Sequence, residues 1–146
     1  MSFPSPPEDF KTIRIEPSQL NLSLVLNSGQ TFRWHRLDLE QNYSEWRLAL
    51  PDRVVCLRQN EEYVFYRTFW SKGSLSDTDP SDRTRQWIQD YFNLDVDLDT
   101  IFGPITDPVF TAARRRFGGG IRLLRQDPWE ALISFSRTDL KHVGSS

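Results

Sequence analysis

The sequence predicts an α+β fold, a twisted antiparallel sheet with packed helices, on three observations. From Phe32 to Phe69 short runs rich in Val, Trp, Tyr and Phe are separated by polar turn residues. The joints between those runs are too short for crossovers, so neighbouring strands run antiparallel. Beyond Asp79 the apolar residues change to helical spacing, and strands followed by helices is the α+β order.

Taken in order, residues 1–17 read as a flexible lead-in. Met1 to Phe10 is proline-rich, although Thr12 to Ile15 alternates like a short edge strand before Pro17–Ser18 breaks it. Leu20 to Leu26 fits either a strand or one helical stripe through Leu22, Val25 and Leu26. Asn27–Ser28–Gly29 is a turn, since glycine takes positive φ without a Cβ penalty. Strands are expected at Phe32–Arg36, Glu45–Leu50, Val54–Gln59 and Tyr63–Phe69, turned by Pro51–Asp52 and by Asn60–Glu61–Glu62. Trp46, Leu48 and Leu50 share one face; Val55 and Leu57 alternate with Val54, Cys56 and Arg58.

Ser71 to Ser81 reads as a loop, and Asp79–Pro80 as a helix opening. Trp87, Ile88, Tyr91 and Phe92 form that helix's buried stripe. Another turn of helix spans Asp97 to Phe102, ended by Gly103–Pro104. Asp107–Pro108 starts a third helix whose inner face is Val109, Ala113 and Phe117, stopped by Gly118 to Gly120. Asp127–Pro128 starts a fourth, with Trp129, Leu132, Ile133 and Phe135 apolar. Ser136 to Ser146, with Leu140 and Val143 as its apolar residues, differs in kind from the apolar helix before it.

The bulk composition narrows function. The chain has 146 residues, 38% hydrophobic and 13% aromatic, enough for one domain with a packed core. A net charge of −2 argues against a general polyanion binder. The charge is uneven, however. Thr111 to Gln126 holds five arginines (Arg114, Arg115, Arg116, Arg122, Arg125) and no acid, which fits either a phosphate-binding patch or a solvated face. Cys56 is alone and His35 and His142 are far apart, so no disulfide framework, metal site or cofactor is expected. No apolar run reaches a membrane span's length and the N-terminus lacks a secretory layout, which fits a reducing intracellular compartment without membrane attachment. The lysines Lys11, Lys72 and Lys141 read as solvated charges, and no nucleophile–base pair, phosphate loop or zinc spacing is present.

Two stretches stand out: Gly29–Gln30–Thr31–Phe32–Arg33–Trp34, and Ile121–Arg122–Leu123–Leu124–Arg125–Gln126–Asp127–Pro128–Trp129–Glu130. With the helix Gln86 to Leu94, ending Tyr91–Phe92–Asn93–Leu94–Asp95–Val96, they resemble in order and spacing the N-terminal region of eukaryotic 8-oxoguanine DNA glycosylase, over roughly residues 18 to 135.

The resemblance implies a TATA-box-binding-protein-like α+β domain over residues 18–126, with 127–135 the first helix of a truncated helix-hairpin-helix domain and 136–146 a divergent tail. It also implies base-excision repair of oxidised purines, a bifunctional glycosylase and AP lyase chemistry in which a lysine attacks the sugar of a flipped nucleotide. Gly29 corresponds to the glycine whose carbonyl accepts a hydrogen bond from the lesion's N7–H; undamaged guanine has a lone pair there and loses the bond. Phe32 would support that loop, and Arg125 and Asp127 would hold the domain junction, Asp127 being also an ordinary N-cap. Arg114, Arg115, Arg116 and Arg122 are candidate contacts to DNA phosphates.

The implied partner is double-stranded DNA containing 8-oxoguanine, bound by a monomer, in the nucleus or alternatively the mitochondrion. The sequence departs from the family at Ser136, where Arg137–Thr138–Asp139 replaces an asparagine run. The catalytic lysine and aspartate have no counterpart. The expectation is a truncated family member without catalysis of its own, its last helix exposing an apolar face that favours aggregation. The alternatives are a non-catalytic DNA-binding module and a purely structural α+β module.

Overall fold

The computed structural model describes residues 9–39, 44–71, 82–117 and 119–142, with side chains to residue 136. Five strands form one antiparallel sheet: β1 Lys11–Arg14, β2 His35–Asp38, β3 Ser44–Ala49, β4 Arg53–Gln59 and β5 Tyr63–Trp70. Their order is β1-β5-β4-β3-β2. The meander β2 to β5 follows from its turns. Leu50 N–H donates to the Arg53 carbonyl at 2.8 Å around Pro51–Asp52. Asn60 Oδ1 accepts from the amides of Glu62 (2.9 Å) and Tyr63 (2.8 Å), an Asx turn at the tip.

The edge strand β1 pairs with β5, Ile13 opposite Val64, and Phe10 just before it is buried. The sheet therefore begins inside the segment expected to be a lead-in, because alternation at Thr12 to Ile15 presents Ile13 to the core. The strand expected at Phe32–Arg36 begins only at His35; the residues before it are drawn away to another segment, described below.

The ambiguous Leu20–Leu26 run resolves as helix α1, Leu22–Leu26. Asn21 Oδ1 caps it by accepting from Leu24 N–H at 3.0 Å. From β4, Gln59 accepts from Leu22 N–H at 2.8 Å and donates to the Leu20 carbonyl, pinning the helix start to the sheet. Helix α2 spans Arg83–Tyr91 and is capped by Asp82, whose carboxylate also accepts from Tyr66 Oη at 2.6 Å. Asp79–Pro80, Lys72 and most of the expected 71–81 loop lie outside the described residues. Helix α3 is Leu98–Phe102, capped by Asp97.

One face of the sheet carries the core. Ile13, Trp46, Leu48, Val55, Leu57, Val64 and Tyr66 pack with Leu22, Val25 and Leu26 of α1, Ile88 and Tyr91 of α2, and Trp34 and Phe92. Val54, Cys56, Arg58, Glu45, Arg47, Phe65 and Arg67 fall on the opposite face by the alternation of strands.

Helix α4, Pro108–Phe117, starts at Asp107 as its sequence requires, with Phe110 N–H donating to Asp107 Oδ1 at 2.7 Å. Its inner face is not the one expected. Val109 is 79% exposed and Phe117 64%, while Phe110 is half-buried against Phe102. Ala113 and Phe117 border an open apolar cavity of about 280 Å³ with Leu98, Phe102 and Ile121, so this helix leans on α3 without burying a full stripe. Gly118 lies outside the described residues. Helix α5, Pro128–His142, continues past Phe135 through residues expected to be a tail. Residues 143–146 are not described. Among the described residues no helix is long and apolar enough to cross a membrane.

Candidate lesion-recognition loop

The loop between α1 and β2 is built from the end of α1 outwards. Ser28 N–H and Oγ both bond to the Val25 carbonyl, the hydroxyl at 2.7 Å, which closes the helix and turns the chain. Gly29 follows with φ +82°. A Cβ at Gly29 would meet nothing within 4 Å, so within this chain glycine is required by its backbone conformation and not by crowding. Gly29 is exposed and its carbonyl accepts no hydrogen bond among the described residues.

Gln30 fixes where that carbonyl sits. Its Nε2 donates to the Arg122 carbonyl at 2.9 Å and to Ser28 Oγ at 3.0 Å. Its Oε1 accepts from Leu124 N–H at 3.0 Å, and its own carbonyl accepts from Gln126 Nε2 at 2.6 Å. The side chain thus acts as a strand partner for residues 122–124, and the two stretches that stand out in the sequence lie side by side. This bolt was missed at the sequence level. A glutamine after a turn carries no local signal for a contact made 92 residues away.

The next residues anchor the loop on both sides. Thr31 is buried, and Trp34 Nε1 donates to Tyr91 Oη at 3.1 Å inside a ring cluster with Trp87 and Phe92. Burial pushes the Tyr91 phenol up, so it remains a neutral partner. Phe32 is 48% exposed and meets Phe135 of α5 edge-to-face at 5.5 Å. Arg33 donates to the Ala49 carbonyl and pairs with Glu130 Oε2 of α5 at 2.6 Å. Phe32 and Arg33 therefore hold the first turns of α5 against the loop. Asp127 caps that helix, accepting from the amides of Trp129 and Glu130 at 2.9 Å each. Arg125 donates its amide to the Tyr91 carbonyl at 2.9 Å and lays its guanidinium near Asp95 at 3.4 Å.

The arginines expected to form one patch divide. Arg122 is 4% exposed. Its guanidinium donates to the carbonyls of Gln19, Asn93 (2.6 Å) and Val96 (2.8 Å) and to Gln19 Oε1 (3.1 Å). Burial presses its pKa down against the pull of Asp97 and Asp95, yet a guanidinium remains charged. With its donors committed to carbonyls, Arg122 is unavailable to a phosphate, which corrects the sequence expectation; it is a structural clasp. Arg114 is paired with Asp99. Arg115 and Arg116 are exposed on α4, Arg116 beside the Phe117 ring. Among the described residues no hydrogen bond or ion pair joins these α4 arginines to the Gly29 loop.

Residues 12–132 match the family model described as 8-oxoguanine DNA glycosylase, N-terminal domain. The chain is 34% identical over 129 residues to the N-glycosylase/DNA lyase of Saccharomyces cerevisiae, covering 86% of this chain and 33% of that protein. It is 31% identical over 127 residues to N-glycosylase/DNA lyase OGG1 of Arabidopsis thaliana, covering 84% and 32%. Among solved structures, MBOgg1 in complex with a low-affinity DNA ligand superposes with a TM-score of 0.65 at 31% identity, over 90% of this chain and 40% of that one. The chain spans about a third of the length of these curated relatives. With the strand order, the Gly29 turn and its seam to residues 122–126 all in one domain, this chain belongs to the 8-oxoguanine DNA glycosylase family and carries its N-terminal domain.

Proposed function

We propose that this chain serves base-excision repair as the lesion-reading part of an 8-oxoguanine DNA glycosylase/AP lyase, with the Gly29 carbonyl accepting from the N7–H of the oxidised base. The observation that carries this is the exposed carbonyl at φ +82°, held in place by four hydrogen bonds of Gln30. A fixed acceptor distinguishes a base with a proton at N7 from one with a lone pair, because the mismatch leaves two acceptors facing each other. Contacts to duplex phosphates are assigned on this reading to Arg115 and Arg116, which are exposed on α4, and support of the loop's surroundings to Phe32 and Arg125. The relatives' names and the DNA-bound neighbour support this reading.

The part assigned to this chain is recognition and not attack on the sugar. Lys11, the lysine whose side chain is described, is held in an ion pair with Asp82 at 3.4 Å. The test has two arms. In the first, 8-oxo-2′-deoxyguanosine or 2′-deoxyguanosine is titrated into the isotope-labelled chain. The oxidised nucleoside should shift the Gly29 and Gln30 amides while 2′-deoxyguanosine leaves them in place; equal shifts would remove the recognition role. In the second, a duplex with one 8-oxoguanine opposite cytosine is incubated with the chain and borohydride. No covalent adduct is expected, and an adduct would assign a lysine nucleophile to these residues.

A further inference from the structure

The face of the sheet turned away from the core carries a feature that the lesion site does not use. Tyr63, Phe65, Arg67 and Phe69 form a file along β5 on this face, at the two-residue interval of roughly 6.6–6.8 Å. Each aromatic residue stands close to an arginine: Arg14 is opposite Tyr63, Arg58 opposite Phe65, and Arg67 lies 4.6 Å from the Phe69 ring centroid. Arg67 also lies 4.8 Å from the Phe10 ring, and Arg58 lies 4.7 Å from the same ring. The result is an alternating ladder, Arg58–Phe10–Arg67–Phe69.

Phe69 is the ladder's open end, 49% exposed. On the β4 side, Val54 and then Ala49 lie in register beside it, small side chains that leave a shelf next to the ring. Among the described residues, the two acids that meet these arginines are already engaged. Glu45 is wholly buried between Arg47 (2.6 Å) and Arg58 (2.6 Å), and Asp9 is paired with Arg67. One carboxylate serves two arginines. Arg14 has no carboxylate partner among the described residues, and Arg47 keeps a half-exposed side chain.

We infer that this outer face is a second nucleic-acid surface, one that takes a single strand. An unpaired base stacks on Phe69 over the Val54–Ala49 shelf, further bases follow toward Phe65 and Tyr63, and the phosphates run past Arg47 and Arg14. Rings and guanidiniums interleaved on an open sheet suit bases whose faces are free, whereas a duplex hides those faces in its stack. An acidic peptide would use the arginines but gain nothing from the rings. The inference does not rest on the lesion-site reading.

The experiment measures anisotropy of a labelled oligothymidylate of about twelve nucleotides, within the span one such platform covers, against a blunt duplex of equal length. The chain should bind the single strand more tightly than the duplex. Phe69→Ala should weaken single-strand binding roughly tenfold and Phe69→Tyr should restore it. The double variant Arg115→Ala/Arg116→Ala should leave single-strand binding intact while weakening the duplex, which separates this face from the α4 contacts. Phe69 is half-exposed, and an unchanged thermal midpoint verifies the variant's fold. Full affinity in Phe69→Ala, or polyglutamate competing as well as the oligonucleotide, would overturn the proposal.

Discussion

Two glycines with the same φ of +82° do different things. At Gly29 a Cβ would meet open space, so Gly29→Ala pays only the left-handed conformation, about 1–2 kcal/mol. At Gly120 a Cβ would run into the Pro17 carbonyl and crowd Asn21 N, whose proton is given to the Gly120 carbonyl at 2.9 Å. Gly120→Ala should therefore cost about 3 kcal/mol or more, since backbone on both sides must shift. Denaturant titration of the two variants checks the ordering; equal losses would mean that the 17–21 and 119–122 segments yield easily. Arg122 belongs to this same joint, and its donors finish the backbone carbonyls that Gly120 brings near.

At the scale of elements, the outer face of β3 and β4 holds a charge that helices usually spare a sheet. Burial alone would raise the Glu45 carboxyl; hydrogen bonds and charge from Arg47 and Arg58 outweigh it and hold the group below its ordinary value of 4.5. A carboxyl depressed in the folded state contributes stability at neutral pH, and that contribution fades as the pH falls below about 4.5 toward the native value. Glu45→Gln should lower stability by about 2–3 kcal/mol at pH 7, less than a fully buried pair because both arginines reach water. It should also flatten the acid limb of the stability profile. Chemical denaturation between neutral and acid pH reads both effects, and an unaltered acid limb would locate the acid sensitivity elsewhere.

The elements also show what sequence patterns carry. Strands β3, β4 and β5 were legible because turn residues and alternation agree within each hairpin, and α2 because its stripe is strongly apolar. The start of β2 and the inner face of α4 were not. Phe32 to Trp34 has strand-like residues, but Gln30 commits the adjoining backbone to residues 122–126. Val109, Ala113 and Phe117 have helical spacing, but the half-buried Phe110 sits one position round the helix. In the loop, the turn at Gly29 was legible from its residues; the contacts of Gln30, of Arg33 with Glu130, and the burial of Arg122 were not, since each depends on a partner remote in sequence.

At the scale of the molecule, the Gly29 loop is a seam between its early and late parts. Gln30→Ala removes the side-chain bonds to Arg122, Leu124 and Ser28 without touching the core. It should raise amide exchange of Leu124 and loosen Gly29 while leaving β3 to β5 protected. Hydrogen-exchange mass spectrometry decides this; uniform loss of protection would mean that the seam and the sheet unfold together.

The Arg122 clasp reaches back 103 residues to Gln19. A chain leaving the ribosome must therefore hold its first strand and first helix beside an unfinished joint until residue 122 has emerged. At translation rates of roughly 5–20 residues per second that interval lasts several seconds, far longer than a hairpin takes to form. Strands β2 to β5 can pair during the wait, but the Pro17–Asn21 turn still lacks the bonds that Asn21 and Gln19 make with Gly120 and Arg122. Nascent chains arrested before Gly120 has emerged should carry a protease-sensitive site at that turn, and chains arrested well beyond Gln126 should lose it. Timing on the ribosome is thus written into the position of one arginine.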